Sequence, residues 1–142
     1  ALTVRDRIIV HLSGFNRYAE DFECPEDMCQ SGISIATEKS RAHVTLELNR
    51  MKSDGLVSER VAHVKGAKSK RKTYSLTAQG TARSSEINRF LDSLTIKIAG
   101  HGTLSGSEAV EYLMSNCGSN RVRAVDRILA SDGEIEASEP EA

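Results

Sequence analysis

The chain has no tryptophan, only three phenylalanines and three tyrosines, and only two prolines among its 142 residues. A surface that reads single-stranded RNA stacks bases on clustered aromatics. The one aromatic in the most basic region here is Tyr74, which argues against that class. The three cysteines, Cys24, Cys29 and Cys117, are odd in number and spaced neither as a zinc knuckle nor as a redox pair. They read as reduced thiols of a cytoplasmic protein. His11, His43, His63 and His101 are scattered, with no pair at ligand spacing on one helix face, so neither a metal nor a cofactor is expected.

Other absences narrow the field further. No apolar run approaches the roughly 18–20 residues that a membrane-spanning helix needs, so no membrane partner is expected. The first twelve residues carry Arg5, Asp6 and Arg7 within their apolar pattern and do not read as a signal peptide. A glycine-rich phosphate loop, a paired-carboxylate signature and a local Cys–His grouping are all missing, so an enzyme is not expected.

What the sequence does have is charge of one sign in one place. The formal net charge is -1, yet residues 39–83 hold eleven Lys/Arg against three Asp/Glu. Residues 1–38 hold three against seven, and residues 84–142 five against ten. The chain is thus a basic stripe between two acidic flanks. Such a stripe concentrates polyanions and displaces their condensed counterions.

Within the stripe, Val61-Ala62-His63-Val64 alternates, the chain breaks at Lys65-Gly66-Ala67-Lys68-Ser69-Lys70, and extended residues resume at Arg71-Lys72-Thr73-Tyr74-Ser75-Leu76. This is the pattern of an antiparallel β-hairpin with a glycine-containing loop. Lys65, Lys68, Lys70, Arg71 and Lys72 crowd its tip without an acid among them.

Helices precede the hairpin. Thr3 and Asp6 open one over about residues 4–13, with Val4, Ile8 and Leu12 at helical spacing. Residues 16–29 read as an acidic connecting loop, and Gln30 to Thr37 as a helix of about two turns. Ser40 can cap a third helix from Arg41 to about Asp54. On it Val44, Leu48 and Met51 fall in one narrow sector, while Ala42, Thr45, Leu46 and Asn49 face away, flanked by Arg41 and Lys52. Gly55 stands where a helix-ending glycine is expected. After the hairpin, Thr77 caps a long helix from Ala78 whose apolar stripe runs Ile87, Phe90, Leu91, Leu94 and Ile98. Gly100-His101-Gly102 reads as an interhelical turn. Ser105 with Glu108, and Asn120, then start two short helices, to about Asn116 and Ala130. From Asp132 onward the acidic composition reads as disorder.

The order helix, short helix, turn, helix, hairpin, helix over residues 3–80 resembles the N-terminal winged helix-turn-helix domains of archaeal transcriptional regulators. The resemblance is carried by Gln30-Ser31-Gly32-Ile33, Arg41-Ala42-His43-Val44, Leu48 through Val57, His63-Val64-Lys65-Gly66 and Arg71 through Gly80. The Leu76-Thr77-x-x-Gly80 ending after a strand also occurs in regulators of the MarR type. Cys29 departs from the Ser or Thr usual before the second helix, and Thr37-Glu38-Lys39 is a more charged turn than usual.

The resemblance implies a mainly α fold with a small antiparallel β-hairpin (α+β), a winged helix-turn-helix followed by a C-terminal helical extension. The expected divisions are 1–80, an extension over 81–131 that covers the core or dimerises, and an acidic tail over 132–142. The implied function is sequence-specific binding of double-stranded DNA, with the third helix in the major groove and the wing on phosphates. Arg41, Thr45 and Asn49 are the expected base contacts. Lys39, Ser40 and Lys52 are the expected phosphate contacts beside the helix, and Lys65, Lys68, Lys70, Arg71 and Lys72 those of the wing. His63, within the wing, is a lesser phosphate candidate, and His43 lies at the boundary of the core line. Leu46 can meet a thymine methyl or a partner protein.

Two alternatives stand beside this reading. The winged-helix surface can bind protein instead, although interface cores are depleted in lysine. The chain can also be the N-terminal region of a larger regulator, since such domains often head longer proteins. The Ile87–Ile98 stripe either receives the two short helices in a monomer or pairs two copies into a homodimer on a palindrome.

Overall fold

A computed structural model of the chain describes residues 2–15 and 23–135. It is an α+β protein made of two compact units, with the boundary between Ser84 and Ser85.

In the first unit, α1 (Val4–Leu12) begins where Thr3 Oγ1 accepts the Asp6 amide at 3.1 Å. A short 3-10 turn at Glu26–Met28 leads into α2 (Gln30–Thr37), and α3 (Arg41–Ser53) follows after a tight turn. Ser40 caps α3, its Oγ accepting the His43 amide at 3.2 Å. Cys29 stands at the N-cap of α2 without a side-chain cap bond. The first segment of the connecting loop, residues 16–22, lies outside the described residues.

Helical spacing decides what is buried. Ile8 and Leu12 of α1, Ile33 of α2, and Val44, Leu48 and Met51 of α3 are almost wholly removed from solvent. Each such side chain contributes about 1.5–3 kcal/mol relative to leaving it exposed. His43 turns out to be exposed on α3 rather than at the edge of the core. Gly55 follows α3 with φ +77°, a left-handed conformation that costs a side-chain-bearing residue about 1–2 kcal/mol.

The chain then forms β1 (Val57–Ala62) and β2 (Arg71–Leu76), an antiparallel pair in register from Val57↔Leu76 to Ala62↔Arg71. The loop over 63–70 holds Lys65, Lys68 and Lys70, all exposed. At its base Cys24 bridges to Val64, with the Cys24 amide 2.9 Å from the His63 carbonyl and the Lys65 amide 3.0 Å from that of Cys24. The Leu76-Thr77-x-x-Gly80 motif has a packing reason. Thr77 Oγ1 accepts the Gly80 amide at 3.1 Å at the start of α4 (Ala78–Asp92). A Cβ on Gly80 would lie 2.2 Å from the Leu56 carbonyl oxygen.

The second unit differs from the expected helical extension. α4 stops at Asp92 instead of running on through Ile98. The Ser93 hydroxyl donates to the Phe90 carbonyl at 2.6 Å, and the Leu94 amide to that of Leu91 at 3.0 Å, tightening the last turn. Thr95–Ile98 is a strand, β3, with Ile96 and Ile98 buried and Thr95 and Lys97 exposed. β-branched residues at period two favour this conformation. Gly100-His101-Gly102 is therefore the turn of a β-hairpin: β3 pairs antiparallel with β4 (Gly102–Ser105). The expected single apolar helix face is divided between two elements, so it offers no continuous stripe from Ile87 to Ile98 on which two copies could pair.

α5 (Gly106–Asn116) starts with a complete Ser105–Glu108 capping box, and α6 (Arg121–Ala130) with Asn120 accepting the Arg123 amide at 2.8 Å. Glu134–Ile135 then forms β5, parallel to β3, and completes a sheet in the order β4-β3-β5. The expectation of disorder from Asp132 fails for these residues: Ile135 is buried, and its carbonyl accepts the Ala99 amide at 3.0 Å. Residues 136–142 of the expected tail lie outside the described residues.

Candidate nucleic-acid interface

Placement on α3 sets the first part of the site. Arg41, Thr45 and Asn49 recur every fourth residue, one helical turn apart, with Arg41 and Asn49 exposed and Thr45 half-buried. Leu46, on the outward side, is 51% exposed. Lys52 is exposed on the last turn of α3. Lys39 is half-buried in the turn before α3, where its carbonyl accepts the Ser34 hydroxyl at 2.5 Å. The Ser40 hydroxyl oxygen is already engaged as the helix cap.

The β1–β2 hairpin supplies the second part. Arg71 and Lys72 project from β2, and with Arg41 they line one open depression of about 490 Å³ whose other walls are Cys29, Gln30 and Ser31. Cations from α3 and from the hairpin thus meet around the start of α2. Lys65, Lys68 and Lys70, on the hairpin loop, are not among the residues that line it.

Hydrogen bonds tie these walls together. Gln30, the first residue of α2, accepts at Oε1 from Arg41 Nη2 at 3.2 Å and from Thr45 Oγ1 at 3.3 Å. Its Nε2 donates to the Tyr74 hydroxyl at 3.0 Å. That hydroxyl donates in turn to Glu59 Oε2 at 2.9 Å. Glu59 Oε1 pairs with Lys52 Nζ at 3.4 Å and, more loosely, with Lys72 Nζ at 4.0 Å. Arg71 reaches Glu26 Oε1 at 4.0 Å.

Three titrating groups feel this environment. The Tyr74 hydrogen bond, with Lys52 and Lys72 nearby, holds the Glu59 carboxyl below the usual carboxylate range despite partial burial. Burial pushes the Tyr74 phenol up, and the Glu59 charge adds to that against the opposing Gln30 bond, so Tyr74 remains a hydroxyl donor at neutral pH. At Cys29, burial works to raise the thiol. Hydrogen bonding from Ser31, the Gly32 and Ser31 amides and Arg71 outweighs it and lowers the thiol below its ordinary value.

Of the expected contacts, Arg41, Arg71 and Lys72 converge, and Lys52 joins Lys72 through Glu59. Gln30, Ser31, Glu59 and Tyr74 were not among the residues expected from sequence. Tyr74 was visible as the lone aromatic of the basic stripe, but no local pattern marks Glu59, an acid inside a basic face. Among the described residues no cluster of His, Cys, Asp or Glu could hold a metal ion, and no helix is long and apolar enough to cross a membrane. No family model matches the chain, and neither does any curated protein or solved structure.

Proposed function

We propose that the Leu2–Ser84 unit is a winged helix-turn-helix that binds double-stranded DNA sequence-specifically, as a transcriptional regulator without enzymatic activity. The observation that carries this reading is the convergence of Arg41 from α3 with Arg71 and Lys72 from β2 on one open depression. A helix placed in the major groove has phosphates on either side of it, and cations flanking its exposed face neutralise them. Arg41, Thr45 and Asn49 then face base edges. Arginine can bond guanine O6 and N7, and asparagine adenine N6 and N7. Lys39, Ser40 and Lys52 lie beside the groove, and the wing residues Lys65, Lys68, Lys70, Arg71 and Lys72 meet adjacent backbone.

The test is fluorescence anisotropy with a random-sequence duplex at about 50 and 200 mM salt. Binding that weakens steeply between the two is the expected result, with a loss of roughly 10³ or more if six or more phosphates are contacted. No binding at the lower salt overturns the reading.

One observation favours a second reading, a protein-interaction module. Ile35 on α2 is 76% exposed and Leu46 on α3 51% exposed, and neither side chain helps a purely electrostatic grip. Binding of a protein partner that Leu46→Ser abolishes, together with indifference to DNA, would establish it.

A further inference from the structure

The polar chain between α3 and the wing has a direction, and the direction has a consequence. At one end stands Arg41, whose guanidinium can only donate, and at the other Glu59, whose carboxylate can only accept. Tyr74 has a single hydroxyl hydrogen, and it goes to Glu59 at 2.9 Å. The phenol oxygen can therefore only accept from Gln30, which must turn its NH2 toward Tyr74 and its carbonyl toward Arg41 and Thr45. The distances of 3.0, 3.2 and 3.3 Å describe that orientation. Tyr74 is 1% exposed, so it has almost no access to water as an alternative partner.

We infer that Gln30 is a positioning residue for base recognition: it fixes the guanidinium of Arg41, and its own orientation is fixed from the wing by Tyr74 and Glu59. This rests on the DNA-binding reading above. An exposed arginine samples many rotamers, and ordering it on binding opposes affinity for the one base it would read. Gln30 occupies one Nη2 hydrogen of Arg41 and leaves the remaining donors of the fork for a guanine edge. Phosphate contacts need no such placement, because they depend on charge rather than on a fixed fork. Gln30 and Tyr74 thus act on the choice among sequences rather than on the grip on DNA.

The experiment selects a preferred site from a randomised duplex pool with the full chain, then compares affinities for that site and for random duplex. Gln30→Met and Tyr74→Phe are each expected to lower the ratio of the two affinities about fivefold or more, one good base contact's share of discrimination. Random-duplex affinity and its salt dependence are expected to stay within about twofold of wild type. In a background carrying both Arg41→Met and Thr45→Val, which removes both partners of the Gln30 carbonyl, Gln30→Met is expected to have no further effect on the ratio.

An unchanged ratio in both single variants overturns the inference, as does an equal loss on all sequences or an additive effect in the background lacking both Arg41 and Thr45 side-chain donors. If the wild-type chain binds no duplex at all, the DNA-binding reading itself fails. The two failures are told apart before any variant is made.

Discussion

Glu59 and Tyr74 face each other across the β1–β2 ladder, and the Tyr74 hydroxyl donates to the Glu59 carboxylate at 2.9 Å. The pair puts a negative charge beside Lys52 and Lys72. Lys52 lies 3.4 Å from the same carboxylate and Lys72 4.0 Å, so both cations are partly neutralised within the protein itself.

Replacing Glu59 by Gln keeps an acceptor for Tyr74 and releases both lysines. The lysine ends of both pairs are exposed, and surface pairs are worth only about 0.2–1 kcal/mol each. Random-duplex affinity at 50 mM salt should therefore tighten by roughly twofold to thirtyfold, measured by anisotropy. Weaker binding would mean that Glu59 serves the interface by holding its lysines in place.

The hairpin loop offers a cleaner electrostatic prediction, because Lys65, Lys68 and Lys70 are exposed on it and do not line the α3 depression. Changing all three to Ala should flatten the slope of log K against log salt by roughly 2–3 units if each meets a phosphate. Thermal stability should hardly move, since exposed loop substitutions are usually within about ±0.5 kcal/mol. An unchanged slope would remove the loop from the interface.

How much of this was legible in the sequence follows from the range of each interaction. The caps at Ser40, Ser105 and Asn120 and the helix end at Gly55 depend on residues within a turn of one another, and they could be read directly. The hairpin was readable because alternation and a glycine loop are also local. The end of α4 was not. Ile87, Leu91, Leu94 and Ile98 fit a period of 3.6, and so short a run cannot separate a helix from a helix followed by a strand. The strand character of Thr95-Ile96-Lys97-Ile98 needs its partners, β4 before the helices and β5 after them. Least visible was the chain from Gln30 through Tyr74 to Glu59. It exists only because the hairpin register sets Glu59 opposite Tyr74 and because Cys29, just before α2, bridges to Thr73 on β2.

The turn between α2 and α3 stores strain that can be measured. Glu38 has φ 58° and ψ 38°, the left-handed region, which costs a residue with a Cβ about 1–2 kcal/mol. Glycine relieves that strain but loses more backbone entropy on folding, about 0.5–1 kcal/mol. Glu38→Gly should thus be more stable than Glu38→Ala, which loses the same side-chain contacts but keeps the Cβ, by roughly 0.5–1 kcal/mol in urea denaturation. Glu38→Gln, which removes the charge but keeps the Cβ, should not share that gain. Equal stability of the Gly and Ala variants would overturn the assignment to backbone geometry.

A pH dependence follows from His11, which is 7% exposed on α1 with Nε2 2.8 Å from the Asp27 carbonyl and its ring 5.2 Å from that of Phe15. Burial lowers its pKa below the ordinary 6.5, more than the Asp27 contact raises it. The folded chain therefore keeps His11 neutral where the unfolded chain already binds a proton. The sign is fixed: this contribution to stability is fully present above the unfolded value and is lost as pH falls below about 6.5, at no more than about 1.4 kcal/mol per pH unit. Urea midpoints should be flat between pH 8 and 7 and fall between pH 6.5 and 5. In His11→Gln, which cannot take up the proton, the fall over that window should shrink, although the variant starts from lower stability because its packing differs. A wild-type midpoint that stays level down to pH 5 would show that His11 takes up its proton within the fold, at Nδ1, since the Asp27 carbonyl already accepts from Nε2–H.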